Sequence, residues 1–276
     1  MAERRGVLSL LLVAACSSTR PSAAGDDGNA AAPRGIEAGI EAGTASSDAG
    51  ATPAPGTFCA ARSALFCDDF DTPSFSERSW VVEGAPNLAL PGALSPAYAS
   101  SPPNAFVSRT PAIADATGVQ QQLRRSAGGP DAVEVTADFS FSLRVITLGA
   151  SPRTEVARVE GVNPIDFTSH HVALLLSRGG AEASIEVSSG PSIDVVSLLH
   201  APPPNAWSRV TIHLVLERTV NGPATSIAVQ IGDAPAETIS LERGMGVRPF
   251  LRLGLAVSGP STPSEIAYDD VTYDAR

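Results

Sequence analysis

The strongest constraint on this chain is a stretch in which every second residue is apolar. Val133, Val135, Ala137, Phe139, Phe141, Leu143 and Val145 fall on one side of an extended backbone, with Glu134, Asp138, Ser140 and Arg144 on the other. Successive strand side chains point to opposite faces, so this is a strand with one buried and one wet face. The pattern returns in Val210-Ile212-Leu214-Leu216, with Arg209, His213 and Glu217 opposite, in Ile227-Val229-Ile231 and in Leu251-Leu253-Leu255-Val257. Shorter apolar runs at Ala105–Val107, Glu155–Val162, Val172–Leu176, Ile185–Val187 and Ile193–Leu199 read as further strands. Glycine- and proline-rich turns such as Gly179-Gly180, Gly190-Pro191 and Gly259-Pro260 separate them. With no amphipathic helix alternating with these strands, the residues predict an all-β, antiparallel two-sheet sandwich.

That texture begins only near Phe58. Ahead of it, Arg4 and Arg5 precede a short apolar run, Val7 to Ala15, and then Cys16. This order matches an export signal, and nine residues are too few to span a bilayer permanently. Val13-Ala14-Ala15-Cys16 resembles the bacterial lipoprotein cleavage motif, which implies a signal peptide over 1–15 and a lipid on Cys16. Residues 16–57 are rich in Ala, Gly, Ser, Thr, Pro and Asp and nearly lack aromatics. Such a segment cannot bury enough apolar surface to offset its ordering entropy, and as a flexible linker it reaches roughly 35 Å. The expected organisation is therefore signal peptide, lipidated linker and one domain over 58–276. The expected address is the cell envelope, and Ser17 after the lipid cysteine points to the outer membrane.

Two further cysteines, Cys59 and Cys67, remain in what reads as an exported chain, and they invite a disulfide. A loop this short restricts the unfolded chain by about 2.5 kcal/mol, so the bridge pins the start of the domain rather than its core. The formal net charge of −10 argues against a nucleic-acid partner, which would need clustered cations.

Two Asp-rich aromatic segments bracket the domain: Phe66-Cys67-Asp68-Asp69-Phe70-Asp71 and Tyr268-Asp269-Asp270-Val271-Thr272-Tyr273-Asp274. Together with Trp80, Ser101-Pro102-Pro103-Asn104 and Trp207-Ser208-Arg209-Val210, they resemble the concanavalin A-like lectin/glucanase superfamily, which includes laminin-G-like domains. The resemblance covers about Phe66 to Asp274. It implies a jelly roll with ligands on the concave sheet or rim loops, and structural roles for Trp80 and Trp207.

Asp68, Asp69, Asp269 and Asp270 are candidate calcium ligands, since Ca²⁺ takes hard oxygen donors. Strand alternation allows at most one of each adjacent pair into a shared site, and it turns Asp68 inward with Phe66 and Phe70. The competing expectation is that these carboxylates cap turns. Tyr98, in a proline-flanked loop, is the candidate sugar-stacking aromatic. Ser184-Ile185-Glu186-Val187 and Ser192-Ile193-Asp194-Val195 come nearest to a pair of catalytic acids but sit on separate strands. Arg153-Thr154-Glu155-Val156-Ala157-Arg158 is similar to the arginine-bearing strand of alginate-lyase-like jelly rolls, but that group's Gln-Ile-His and tyrosine motifs are absent. His170-His171 reads as the polar start of a strand. The expected function is a non-catalytic carbohydrate- or surface-binding module with no enzyme activity. The alternatives are a polysaccharide hydrolase or lyase on the concave sheet, or a structural envelope protein.

Overall fold

The computed structural model describes residues 57–75, 79–84, 92–114, 118–126, 136–162, 169–189, 192–215, 225–241 and 247–275. The expected signal peptide, Cys16 and the linker up to residue 56 lie outside the described residues, as do Val133 to Val135 at the head of the alternating stretch.

A single helical turn, Thr57–Ala60, is followed by fifteen strands among the described residues. In chain order these are β1 (Phe66–Asp68), β2 (Val81–Gly84), β3 (Ala93–Ser95), β4 (Ala105–Thr110), β5 (Val119–Ser126), β6 (Thr136–Thr147), β7 (Arg153–Val162), β8 (Ser169–Ser177), β9 (Glu182–Ser189), β10 (Ser192–Ser197), β11 (Trp207–Val215), β12 (Thr225–Ile231), β13 (Glu237–Leu241), β14 (Val247–Ser258) and β15 (Ser264–Ala275). They form two antiparallel sheets. The first runs β13-β12-β11-β6-β15-β4-β3, with β1 pairing the far end of β15; the second runs β10-β9-β8-β7-β14-β5-β2. The chain crosses between the sheets several times, but β7 to β10 run consecutively in the second sheet and β11 to β13 in the first, and the closing strand β15 lies between β6 and β4 inside the first sheet.

Alternation explains the core. Phe139, Phe141, Leu143, Val210, Ile212, Leu214, Ile266 and Tyr268 of the first sheet meet Val172, Leu174, Leu176, Ile185, Leu251, Leu253 and Leu255 of the second in one buried cluster. Each such large side chain stabilises the fold by about 1.5–3 kcal/mol through removal from water. Phe66, Phe70, Phe75, Trp80 and Phe106 close one end with edge-to-face and stacked contacts. Trp80 is thus a core residue, and its Nε1–H donates to Asp68 Oδ2 at 2.7 Å. Cys59 and Cys67 form a disulfide with a Cα–Cα distance of 5.6 Å, tying the first helical turn to β1.

Of the three register shifts among the described residues of the second sheet, two bear on its faces. Opposite β8 the register slips between Glu155 and Ala157, leaving Val156 as an extra residue; opposite β7 it slips between Leu253 and Ala256 of β14. The Val156 carbonyl accepts the Tyr268 hydroxyl across the core at 2.8 Å. At the β14 slip, Gly254 has φ +129°, and a Cβ there would lie 2.2 Å from the Gln121 carbonyl oxygen, so only glycine fits.

Candidate functional site

The bulge at Val156 decides which side chains share the outer face of the second sheet. Arg153 and Glu155 face outward; three positions separate Glu155 from Arg158, which ordinary alternation would send to the opposite side. The extra residue restores the parity, so Arg158 and Glu160 face outward as well, while Val156 and Ala157 are buried. Cross-strand register then brings the neighbours in. Arg158 lies opposite Ala173 and Glu160 opposite His171 on β8, while Ala173 lies opposite Glu186 and His171 opposite Ser188 on β9. His171 and Glu186 are therefore diagonal neighbours on one face.

Glu186 is 1% exposed and holds the centre of this cluster. Its Oε1 is 2.9 Å from His171 Nε2, and the same oxygen accepts the Arg153 guanidinium. With Nε2–H donated to the carboxylate, the Nδ1 lone pair of a neutral His171 is left as the basic atom; a buried carboxylate commonly fixes an imidazole in one tautomer and orientation this way. The Arg153 side chain remains 42% exposed, so it can present further donors outward. Beside this cluster a charged chain crosses the sheet. Gln122 Nε2 donates to Glu155 Oε1 at 2.9 Å, Glu155 is paired with Arg158, and Glu160 lies 3.3 Å from Arg252. Glu83 lies 2.7 Å from Arg124 and 3.6 Å from Arg252.

Several of these contacts are looser than hydrogen bonds. Glu83 Oε2, Arg158 Nε, Glu160 Oε2 and Arg252 Nε are buried polar atoms with no hydrogen-bond partner within the protein. These groups are held by ion pairs instead, and a cluster of buried charged groups with incomplete hydrogen bonding on one face is a feature expected of functional sites.

Glu186, named from the sequence among the candidate acids, lies in this cluster, whereas the paired aspartates and Tyr98 lie elsewhere. Asp68 does point inward, where it accepts Phe70 N–H at 2.8 Å and the Trp80 indole; Asp69 accepts Asp71 N–H at 3.4 Å. At the closing segment the alternation rule fails. Asp270 takes a left-handed φ of 54° within a bulge between Asp269 and Thr272, so both carboxylates turn to the same loop. Asp269 Oδ2 accepts Ser100 N–H and Ser101 N–H at 2.8 and 2.9 Å, and Asp270 Oδ1 accepts the Ser101 hydroxyl at 2.7 Å. Burial, and secondarily the charge of Asp270, push the Asp269 carboxyl up to about 7 against the pull of the backbone N–H groups of Ser101, Asp270 and Ser100. Among the described residues no group of three or more His, Cys, Asp or Glu side chains converges as a metal site would require. Tyr98 ends a short 3₁₀ turn, and the Arg144 guanidinium lies 5.7 Å from its ring centre. Arg144 belongs to β6, so Tyr98 is not on the His171 face. Glu186 lies opposite Val195 and Asp194 opposite Val187, so these two acids face opposite sides and form no catalytic pair.

His171 and its partners were missed as a set. The signals present were the arginine-bearing strand at Arg153, the candidate acid Glu186 and the pair His170-His171, whose members point to opposite faces.

No protein-family model matches this sequence, and no curated protein sequence matches it. Solved structures do. A marine PL-14 alginate lyase from Aplysia kurodai aligns over 78% of this chain and 100% of its own, at 10% identity and a TM-score of 0.57. Alginate lyase vAL-1 from Chlorella virus aligns over the same shares, at 10% identity and a TM-score of 0.53. At that identity the likeness establishes the fold, a concanavalin A-like jelly roll. Two expectations are corrected by it: the non-catalytic binding module and the absence of enzyme activity. Both of these similar structures are alginate lyases.

Proposed function

We propose that the domain is a polysaccharide lyase acting on a polyuronate, with the outer face of the second sheet as its active face. The observation that carries this reading is the His171–Glu186–Arg153 cluster on the charged face of a sandwich built like the alginate lyases. A uronate's C5–H lies α to its carboxylate, and removing that proton becomes feasible when the carboxylate's charge is offset. Arg153, exposed enough to keep outward donors, meets the substrate carboxylate. His171 Nδ1, oriented through Nε2 by Glu186, takes the C5 proton. The electron pair left at C5 forms the C4=C5 double bond and expels the glycosidic oxygen from C4. Glu186 is a positioning residue, because it touches His171 and Arg153 rather than the substrate.

Beyond the chemistry, we read the enzyme as exported and held at the cell envelope by lipid on Cys16, with the arm up to residue 57 giving it reach over surface glycans. More than one acyl chain would make that anchoring stable.

The test is direct: the purified full chain is incubated with alginate or glucuronan while ultraviolet absorbance follows the conjugated unsaturated uronate. Appearance of product that His171→Ala and Arg153→Ala both abolish, with melting temperatures retained, is the expected result; no product from any polyuronate would refute the reading. For the anchor, a radiolabelled fatty acid should be incorporated in the producing cells and lost in Cys16→Ala.

A further inference from the structure

Every histidine and tyrosine of the chain lies among the described residues, and few of them face the site. The sequence has no lysine and three tyrosines. Tyr268 and Tyr273 are buried between the sheets, with the Tyr268 hydroxyl committed to Val156, and Tyr98 lies beside Arg144. Of the four histidines, His170 points to the other side of β8. His213 is paired with Asp138 on the first sheet, and His200 sits by Glu237 at the sandwich edge. Among the described residues, each of the five glutamates on the face, Glu83, Glu155, Glu160, Glu182 and Glu186, is committed to an arginine. Among the described residues, His171 is thus the one histidine on this face, and no tyrosine accompanies it. Its Nε2 is held by Glu186, which leaves a single atom, Nδ1, for proton transfer.

Building on the lyase reading, we infer that His171 Nδ1 both removes the C5 proton and returns a proton to the leaving O4, so the elimination is syn. The balance closes without a co-reactant. The C5–H bond breaks and its proton moves to Nδ1, the C4=C5 bond forms as C4–O4 breaks, and the imidazolium delivers its Nδ1 proton to O4. His171 ends neutral, as it began. An anti elimination would need an acid on the side of the ring opposite the base, which the one nitrogen cannot reach.

Sugar stereochemistry converts this into a substrate class. In D-mannuronate and D-glucuronate, O4 and C6 are both equatorial and mutually trans, so H5 lies on the same side of the ring as O4. Inverting C5, as in L-guluronate, or C4, as in D-galacturonate, puts H5 and O4 on opposite sides. The site selects the mannuronate or glucuronate configuration.

The deciding experiment measures kcat/KM of the full chain on poly-D-mannuronate, poly-D-glucuronate, poly-L-guluronate and poly-D-galacturonate by product absorbance, each with a pH profile. The expected result is a preference of about 10²-fold for the first pair, the scale of one positioned acid–base group. The profile should show a single ascending limb, because only the neutral imidazole begins the reaction. Comparable or faster cleavage of poly-L-guluronate or poly-D-galacturonate would overturn the syn assignment and leave the lyase reading standing. A bell-shaped profile on the favoured polymer, reporting a separate acid, would do the same. No cleavage of any of the four would overturn both. His171→Gln, which keeps a polar side chain of similar size, should lose activity on all substrates; retained activity with an unchanged melting temperature would also overturn the assignment.

Discussion

Two histidine–carboxylate pairs sit on opposite outer faces of this sandwich, and they differ mainly in burial. On the second sheet, His171 and Glu186 meet at 2.9 Å with side chains 14% and 2% exposed; on the first, His213 and Asp138 meet at 2.7 Å with side chains 41% and 47% exposed. By distance alone the exposed pair is the better one. What separates them is the surroundings: Glu186 also holds Arg153, and the face around it carries arginines and glutamates with buried polar atoms that make no hydrogen bond within the protein. Near His213 the first sheet spends its polar groups on structure, with Ser140 sharing a hydrogen bond with Thr272 and Arg209 donating to the Asp270 carbonyl. A buried, shared carboxylate can orient an imidazole for chemistry, whereas an exposed one competes with water for it.

Replacing each histidine breaks that comparison most sharply. His171→Ala should lower kcat on a polyuronate by about 10²–10⁴-fold with little change in melting temperature. His213→Ala should leave kcat within about twofold, since the first sheet takes no part. Equal losses from the two variants would show that the faces had been assigned wrongly.

Next in size is the support beneath the active face. Gly254 sits in the β14 irregularity, and its carbonyl lies 3.4 Å from Gln122 Nε2, the donor to Glu155. An alanine there meets the Gln121 carbonyl at 2.2 Å and must hold φ near +129°. Gly254→Ala should destabilise the domain by about 2–3 kcal/mol in denaturant unfolding. A cost below about 0.5 kcal/mol would mean the bulge relaxes freely.

The other bulge, at Val156 of β7, explains how much of the molecule is legible in the sequence. β6 and β11 could be read from the chain because each has one wet and one dry face, and period-two patterning records that directly. The inward turn of Asp68 followed from the same rule, with Phe66 and Phe70 as markers. The face proposed as active could not be read so easily. Glu155 and Arg158 share a side only because Val156 is an extra residue, and nothing local announces the slip. Glu186 reaches His171 through the register of β8 against β9, a pairing that depends on the turn between them and on the core behind. Asp269 and Asp270 defeat alternation for a related reason, since the left-handed backbone at Asp270 turns both carboxylates to one loop.

Asp269 marks how the first sheet's outer face responds to pH. Its carboxyl stands near 7 in the folded chain against 3.8 ordinarily, so between those values the folded protein binds the proton and the unfolded chain does not. The stability this group contributes is therefore fully present below about pH 4 and is lost as pH rises through 7, at up to about 1.4 kcal/mol per pH unit. Asp269→Asn, which cannot ionise, should flatten that part of the stability–pH curve. If wild type and variant run parallel from pH 4 to 8, the Ser100 and Ser101 N–H groups outweigh burial and Asp269 stays ionised.

The smallest effect tests the exposed pair itself. Deleting His213 or Asp138 should each cost about 0.5 kcal/mol, and the double variant little more, because side chains open to water exchange their contact for hydration. A double-mutant cycle in low salt measures the coupling, and raising the salt should shrink it further. The corresponding cycle for His171 and Glu186 carries a larger coupling, because neither Glu186 nor most of His171 can turn to water when its partner is removed. If the exposed pair couples as strongly as the buried one, burial is not what distinguishes the two faces. The assignment of the active face would then rest on Arg153 alone.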